Sequence, residues 1–414
     1  MSKKDELSIG KLETLVREVV KSVEPVTREN IGQATVMGTK VSYRYSSERL
    51  LELKEEVIGS KNFHFFEAGS LGQDVLNKIT EVLGDYCERK NEEKFDQQNL
   101  DKTLTSKILE MISADDQEFD CIIPVTGIML TEKCTIGPII FYPASSKEGV
   151  VSELKQKNEI DNADDPLFQS SFAVLKVRAS NPRGAAEWAA NIVESMLNAF
   201  QTLWGQVDQP RGLYIGDFPS QRNSERIALT KSNGIFAYAA DRSVFKVKLD
   251  EDVTRNKYLK IIAEYENRLI MFGENESTKL ERNFFNANKL IAEGIASDKA
   301  DTKFTKMMSA VESLVEEKTM TQSITTQVSE NVAFLIGRDA EERIEIFDKM
   351  KKLYSRRSIF SHGELTTVSS RDLNILLTYI RRLIVAIVND FEDLNKVGVQ
   401  NQVKLLKFGS KGSE

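Results

Sequence analysis

Apolar residues recur along this chain with two different periods, mixed up to about residue 250 and almost wholly helical after it. Leu7, Leu12, Leu15, Val16, Val19 and Val20 fall at near-helical spacing, and Pro25 closes the segment. This predicts an amphipathic helix, most simply a packing element and alternatively a partner-binding arm. Residues 35–45 alternate as a strand does. Residues 46–58 return to helical spacing, with Ser47 as a cap and Leu50, Leu51, Leu53 and Val57 on the apolar side. Helices are predicted over 71–114, with a polar break at 90–94. Residues 119–125 and 136–142 are apolar, β-branched and broken by glycine and proline, as strands of one small sheet would be. The acidic stretch 144–166 reads as a surface loop or insertion.

A strand over 171–179 is followed by Asn181-Pro182, a helix start with proline at the first helical position. The helix that follows, 185–204, carries Trp188, Val193, Met196, Leu197, Phe200 and Trp204. Aromatics at this spacing read as packing in preference to a base-stacking platform. Further strands are predicted at 224–230, 234–238 and 244–249, with Ser232-Asn233-Gly234 as a hairpin turn. From Asp252 onward the pattern is helical: 256–272, 278–296, 303–318, 323–336, 340–360 and 370–395. The run Leu383-Ile384-Val385-Ala386-Ile387-Val388 makes the last helix apolar on most sides and therefore central. The short loops suit an antiparallel bundle. The expected fold class is an α+β N-terminal region with a mixed or antiparallel sheet, residues 1–250, with a second division near 144–166. An all-α bundle over 251–396 follows, and then a polar tail, 397–414, in which Val403 to Phe408 adds an edge strand or a short helix.

A length of 414 residues suits two or three domains. The net charge of −7 argues against a protein that coats nucleic acid over its whole surface, so any RNA contact must come from a local basic patch. Lys349, Lys351, Lys352, Arg356 and Arg357 form the densest such run, with Arg381 and Arg382 further on. The alternative for a charge run is a solvated helix face. Cys87, Cys121 and Cys134 are scattered, odd in number and without a CxxC or a His/Cys cluster, so neither zinc nor any other metal or cofactor is expected. This usage fits a reducing compartment. Neither an apolar signal core nor a membrane-length apolar run is present, and a cytoplasmic protein is expected. No phosphate-binding loop or dinucleotide fingerprint occurs.

The chain has two histidines. His64 lies among Phe63, Phe65 and Phe66 and reads as a strand or core position. His362 follows Arg356-Arg357 and precedes Gly363, a plausible helix terminator. Arginine binds phosphate in a fork, and histidine titrates nearest neutrality. On a helix Tyr354, Ser358 and His362 stack on one face, and the long side chain of Arg357 reaches toward it. The helix dipole favours imidazolium and the arginines favour imidazole, which brings the pKa toward working pH. A histidine that simply caps a helix end is the plainer alternative.

The segment from about Phe284 to Phe391 resembles the HEPN superfamily, in particular its ApeA-like branch. That family carries an R-x4–6-H motif on a helical bundle, matched here by Tyr354, Arg357-Ser358 and His362-Gly363. Phe304 to Leu314, with Glu312-Ser313-Leu314 at its end, is similar to the family helix with an "alE-L" core, and Leu373 to Val388 to its closing helix. The resemblance implies a metal-independent endoribonuclease. His362 would be the acid or base, Arg357 would stabilise the phosphate charge, and the product would be a 2′,3′-cyclic phosphate. Arg356, Ser358 and Tyr354 would support them, and the lysines with Arg381 and Arg382 would hold RNA, tRNA included. The family also implies a homodimer through the bundle, an N-terminal region that senses an unknown trigger, and a setting in prokaryotic anti-phage defence or as a toxin-type effector. The alternatives are a non-catalytic module that binds nucleotide or a protein partner, and a scaffold. A motif that accepts an adenylyl group would need tyrosine where this chain has Glu364.

Overall fold

A computed structural model describes residues 9–22, 24–25, 35–37, 42–44, 46–59, 75, 77–78, 81, 97–112, 117–146, 170–179, 182–209, 212–216, 224–231, 234–241, 246–272, 277–315, 323–361 and 368–409. They form two compact units. One is Met1–Cys121 with Lys176–Ala189; the other is Ile122–Leu175 with Ala190–Glu414. The division does not fall at residue 250, because strands and helices from both sides of that position share the second unit.

In the first unit, helix α1 (Ile9–Lys21) buries Leu12, Val16, Val19 and Val20, the stripe its spacing predicts. It packs against α2 (Ser47–Gly59) and α3 (Gln97–Ile112). Leu53, Leu104 and Ile108 supply the facing apolar surface. Strands β1 (Glu24–Pro25), β2 (Thr35–Met37) and β3 (Ser42–Arg44) form a small antiparallel sheet, so the single strand expected over 35–45 is two short ones.

A second, five-stranded sheet is built from β4 (Gln117–Thr126), β6 (Cys134–Ile136), β7 (Ile139–Tyr142), β8 (Ser171–Ala179) and β9 (Tyr214–Ile215), in the order β6-β7-β8-β4-β9. The pairs β6–β7, β7–β8 and β4–β9 are antiparallel. The short β5 (Ile128–Met129) pairs in parallel with β12 (Val247–Lys248), while β10 (Ser224–Lys231) and β11 (Gly234–Asp241) form an antiparallel hairpin. The Lys231↔Gly234 register leaves a two-residue connection, as the turn sequence predicts. Most of the acidic stretch expected as a loop at 144–166 lies outside the described residues, and so does His64. Helix α4 (Pro182–Trp204) starts on the predicted proline. Its second half buries Phe200, whose ring lies 5.9 Å from that of Phe141 on β7.

The remaining described elements are helices: α5 (Glu251–Thr254), α6 (Lys257–Phe272), α7 (Lys279–Ala296), α8 (Ala300–Val315), α9 (Ile324–Ile336), α10 (Ala340–Ser361), α11 (Ser370–Asn389), α12 (Phe391–Val397) and α13 (Val399–Phe408). Their starts are locally encoded. Thr278 and Glu281 form a reciprocal capping box on α7, and Ser323 and Ser369 cap α9 and α11. Helices α7 and α8 approach closely at Gly294, where a Cβ would meet the Met307 side chain at 3.0 Å and the Lys303 carbonyl at 3.2 Å. The helix expected over 370–395 ends at Asn389. Asp390 leaves helical geometry at φ −111° and ψ 23°, and Phe391 turns to pack edge-on against Phe284 at 5.6 Å. Part of the expected polar tail is α13, the short-helix alternative.

A buried polar seam runs through this unit. Tyr258 on α6 donates to Asn288 Oδ1 on α7 at 2.6 Å, Thr202 on α4 donates to the same oxygen at 3.0 Å, and Asn288 Nδ2 donates to the Ser195 carbonyl at 3.2 Å. Two turns along α6 from Tyr258, Glu266 is 2% exposed and its Oε1 has no partner. Burial pushes its carboxyl up to about 8, against a smaller opposite pull from the Ser195 hydroxyl. Among the described residues no helix is long and apolar enough to cross a membrane.

Candidate functional site

Helix α10 carries the motif residues, and its amphipathic pattern decides where each one goes. Ile346, Met350, Leu353 and Tyr354 are buried on one stripe. Arg357, three residues past Tyr354, continues that stripe. Its side chain is 26% exposed, against 40% for neighbouring Arg356. A guanidinium on an apolar stripe needs a carboxylate beside it, because an unpaired charge there would be costly. Glu312 on α8 supplies it at 2.5 Å, itself only 12% exposed. The Tyr354 hydroxyl donates to the same Glu312 oxygen, and Arg357 Nη1 donates to that hydroxyl at 3.2 Å. The guanidinium also lies over the Tyr354 ring, 5.5 Å from its centre. Tyr354, Arg357 and Glu312 therefore form one cluster.

Arg356 belongs to a second cluster, around Asp372 in the first turn of α11. Arg356 Nη1 donates to Asp372 Oδ2, and Lys349 Nζ lies 3.5 Å from Oδ1. The capping Ser369 hydroxyl donates to Oδ2 at 2.5 Å. Burial alone would raise the Asp372 pKa, but the Ser369 hydroxyl, Arg356 and Lys349 outweigh it and hold the carboxyl below its ordinary value. Lys351 and Lys352 are exposed, Lys351 with its ammonium 5.5 Å from the Phe347 ring centre. Ser358 sits in the helical backbone, with its side chain outside the described part, and His362 lies outside the described residues.

Arg381 and Arg382 each hold main-chain carbonyl groups at the end of a helix. Arg381 donates to the carbonyls of Thr202 at 3.0 Å and of Gly205, at the carboxyl end of α4. Arg382 donates to the Ile336 carbonyl, at the carboxyl end of α9, and to Glu342 at 2.9 Å. Buried Lys303 does the same for α7, donating to the Ile295 carbonyl at 2.8 Å. Helix carboxyl ends carry unsatisfied carbonyls and partial negative charge, which cations complete. Glu342 sits between two arginines. The Arg338 backbone N–H and guanidinium, then Arg382, hold its carboxyl down to about 2. The contacts Glu342–Arg382 and Arg356–Asp372 tie α10 to α11, which run in opposite directions.

Glu312 and Asp372 have no assigned role in the sequence reading, although each leaves a trace there. Glu312 is the acid of the "alE-L" stretch, and Asp372 stands three residues after a capping serine. Compared with protein-family models, curated proteins and solved structures, the chain matches none.

Proposed function

We propose that the chain is a metal-independent endoribonuclease of the HEPN type, with Arg357 and His362 as its catalytic residues. The observation that carries this reading is the placement of Arg357. The arginine of the R-x4-H string lies on the core-facing stripe of α10, aimed by Glu312 and Tyr354, five residues before the histidine. A side chain held from two directions is preorganised for charge that develops in a transition state.

In the proposed reaction His362 takes the proton of an RNA 2′-hydroxyl. The 2′-oxygen attacks the adjacent phosphorus and the bond to the 5′-oxygen breaks. That oxygen leaves as a hydroxyl, protonated by a second imidazole, and the other product ends in a 2′,3′-cyclic phosphate. Arg357 balances the added negative charge on the phosphoryl oxygens. The second imidazole is assigned to the same histidine of a partner copy, which makes the active form a homodimer. Lys351 and Lys352, exposed on the same helix, lead the RNA backbone in. DNA lacks the nucleophile and is spared. Action on tRNA or other RNA in a defence or toxin setting follows from the resemblance.

One observation favours a second reading, a non-catalytic binding module: both motif arginines already hold ion pairs within the chain. The test is cleavage of total RNA and tRNA in EDTA by wild type, His362→Ala and Arg357→Ala, with folding checked by circular dichroism. Cleavage by wild type alone, leaving cyclic phosphate ends, is expected. Cleavage that survives in both variants refutes the assignment. No cleavage by any of the three leaves the second reading beside an enzyme that awaits its trigger, and repeating the assay with phage-infected lysate separates the two.

A further inference from the structure

Helix α4 ends on Trp204, which is 36% exposed although residues 195–202 before it are buried. The indole lies 5.9 Å from the fully buried ring of Phe200. Arg381 holds the backbone on either side of it, at Thr202 and Gly205. Trp204 is thus a fixed aromatic platform at one wall of a groove of about 520 Å³. The rest of its lining comes from β12 and the turn into α5. Hydrogen bonds from Val247 to Gly127 and from Leu249 to Met129, each 2.9 Å, set this strand so that Val247 and Leu249 are buried while Lys246, Lys248 and Asp250 are exposed. Val247 and Val253 give the groove an apolar floor.

The polar groups around the groove differ in what they have left to offer. Asn256 Oδ1 accepts the Tyr258 and Leu259 N–H groups at 3.0 and 3.4 Å, which leaves its amide nitrogen to donate into the groove. Asp250 Oδ1 accepts the Val253 N–H at 3.4 Å, which leaves its second oxygen as an acceptor. Neither Lys246 nor Lys248 has an ion-pair or hydrogen-bond partner among the described residues, as holds for several other exposed lysines of this unit. The groove therefore joins a flat aromatic face, two exposed ammonium groups, one amide donor and one carboxylate acceptor.

We propose that this groove binds a nucleoside phosphate, with the base stacked on Trp204 and the phosphates between Lys246 and Lys248. An inorganic anion would leave the indole unused, and a neutral aromatic would leave the lysines unused. A planar base joined to phosphate through a sugar uses both. Asp250 repels phosphate at its own end and accepts a ribose hydroxyl, which sets the direction of binding. Stacking accepts any base, so adenine and guanine nucleotides bind alike. The volume falls within the range of small-molecule sites. None of these residues belongs to the Arg357 and His362 machinery, so the site stands apart from the ribonuclease reading.

The chain has two tryptophans, so Trp188→Phe leaves Trp204 as the sole indole reporter. In that background ADP is expected to quench fluorescence saturably, and calorimetry on the full chain should give the same affinity. Adenosine and inorganic phosphate each bind at least about tenfold more weakly, since each satisfies one half of the site. Lys246→Ala with Lys248→Ala weakens ADP by about tenfold or more with unchanged thermal unfolding, and Trp204→Ala, read by calorimetry on protein that circular dichroism shows to be folded, weakens it similarly while Trp204→Phe keeps most of the binding. Arg357→Ala binds ADP like wild type, and the groove variants keep whatever RNA cleavage wild type has. The proposal is overturned if ADP gives no saturable signal up to millimolar concentration, or if phosphate alone binds as tightly. It is equally overturned if the lysine variants bind unchanged, or if a single-stranded oligonucleotide binds far tighter than ADP.

Discussion

Glu266 makes the stability of the second unit depend on pH in a direction opposite to that of most carboxylates. Its side chain is enclosed on α6, one oxygen lacks a partner, and its folded pKa is about 8 against an ordinary 4.5. Between those values the folded chain holds a proton that the unfolded chain has lost. Unfolding then releases a proton, and stability falls as pH rises. The contribution of the protonated acid is fully present below about 4.5 and is gone by about 8. At about 1.4 kcal/mol per pH unit, that interval corresponds to about 5 kcal/mol, an upper bound. Glu266→Gln keeps the shape and removes the titration. The assay is urea unfolding of the Trp188→Phe protein and of its Glu266→Gln derivative, followed through Trp204 from pH 5 to pH 9. The stability difference between the two should swing in favour of glutamine by several kcal/mol across that range. Any fixed packing effect of the amide only offsets the curves. A difference that stays constant from pH 5 to pH 9 refutes the claim that Glu266 is folded as the neutral acid.

Other perturbations follow from the cation placements. Arg381→Met leaves the carbonyls of Thr202 and Gly205 without their donor and should cost about 1–3 kcal/mol in unfolding experiments, with no change in the salt dependence of RNA binding. Glu312→Ala leaves Arg357 without its carboxylate in a mostly buried position. It should lower stability by about 3 kcal/mol, and the double change with Arg357→Met should recover a good part of that in a thermodynamic cycle. Cys121, raised to about 11 by burial and then by Asp120, should react with a thiol reagent at neutral pH far more slowly than in the unfolded chain.

What could be read beforehand was local. Pro182 at a helix start and the two-residue hairpin after Lys231 lie within a few residues of what they control. The partners of the motif were not legible, because they come from elsewhere in the chain. Nothing near Arg357 announces Glu312, and Arg356 reads as surface charge until Asp372 arrives from the next helix. Arg381 and Arg382 look like part of a basic patch because a sequence shows charge without direction. Their targets are carbonyl groups, which every residue possesses and no pattern marks. The break at Asp390 likewise answers to Phe284, more than a hundred residues earlier.

Arg381 and Arg382 are adjacent on α11, so their side chains leave the helix about 100° apart. One is fastened to the end of α4 and the other to the end of α9. Turning α11 to shorten one attachment stretches the other, and sliding it along its axis strains both. The two residues work as crossed bolts through a single shaft. Because Arg382 also reaches Glu342 on α10, one pair of adjacent residues ties α11 to three other helices at once.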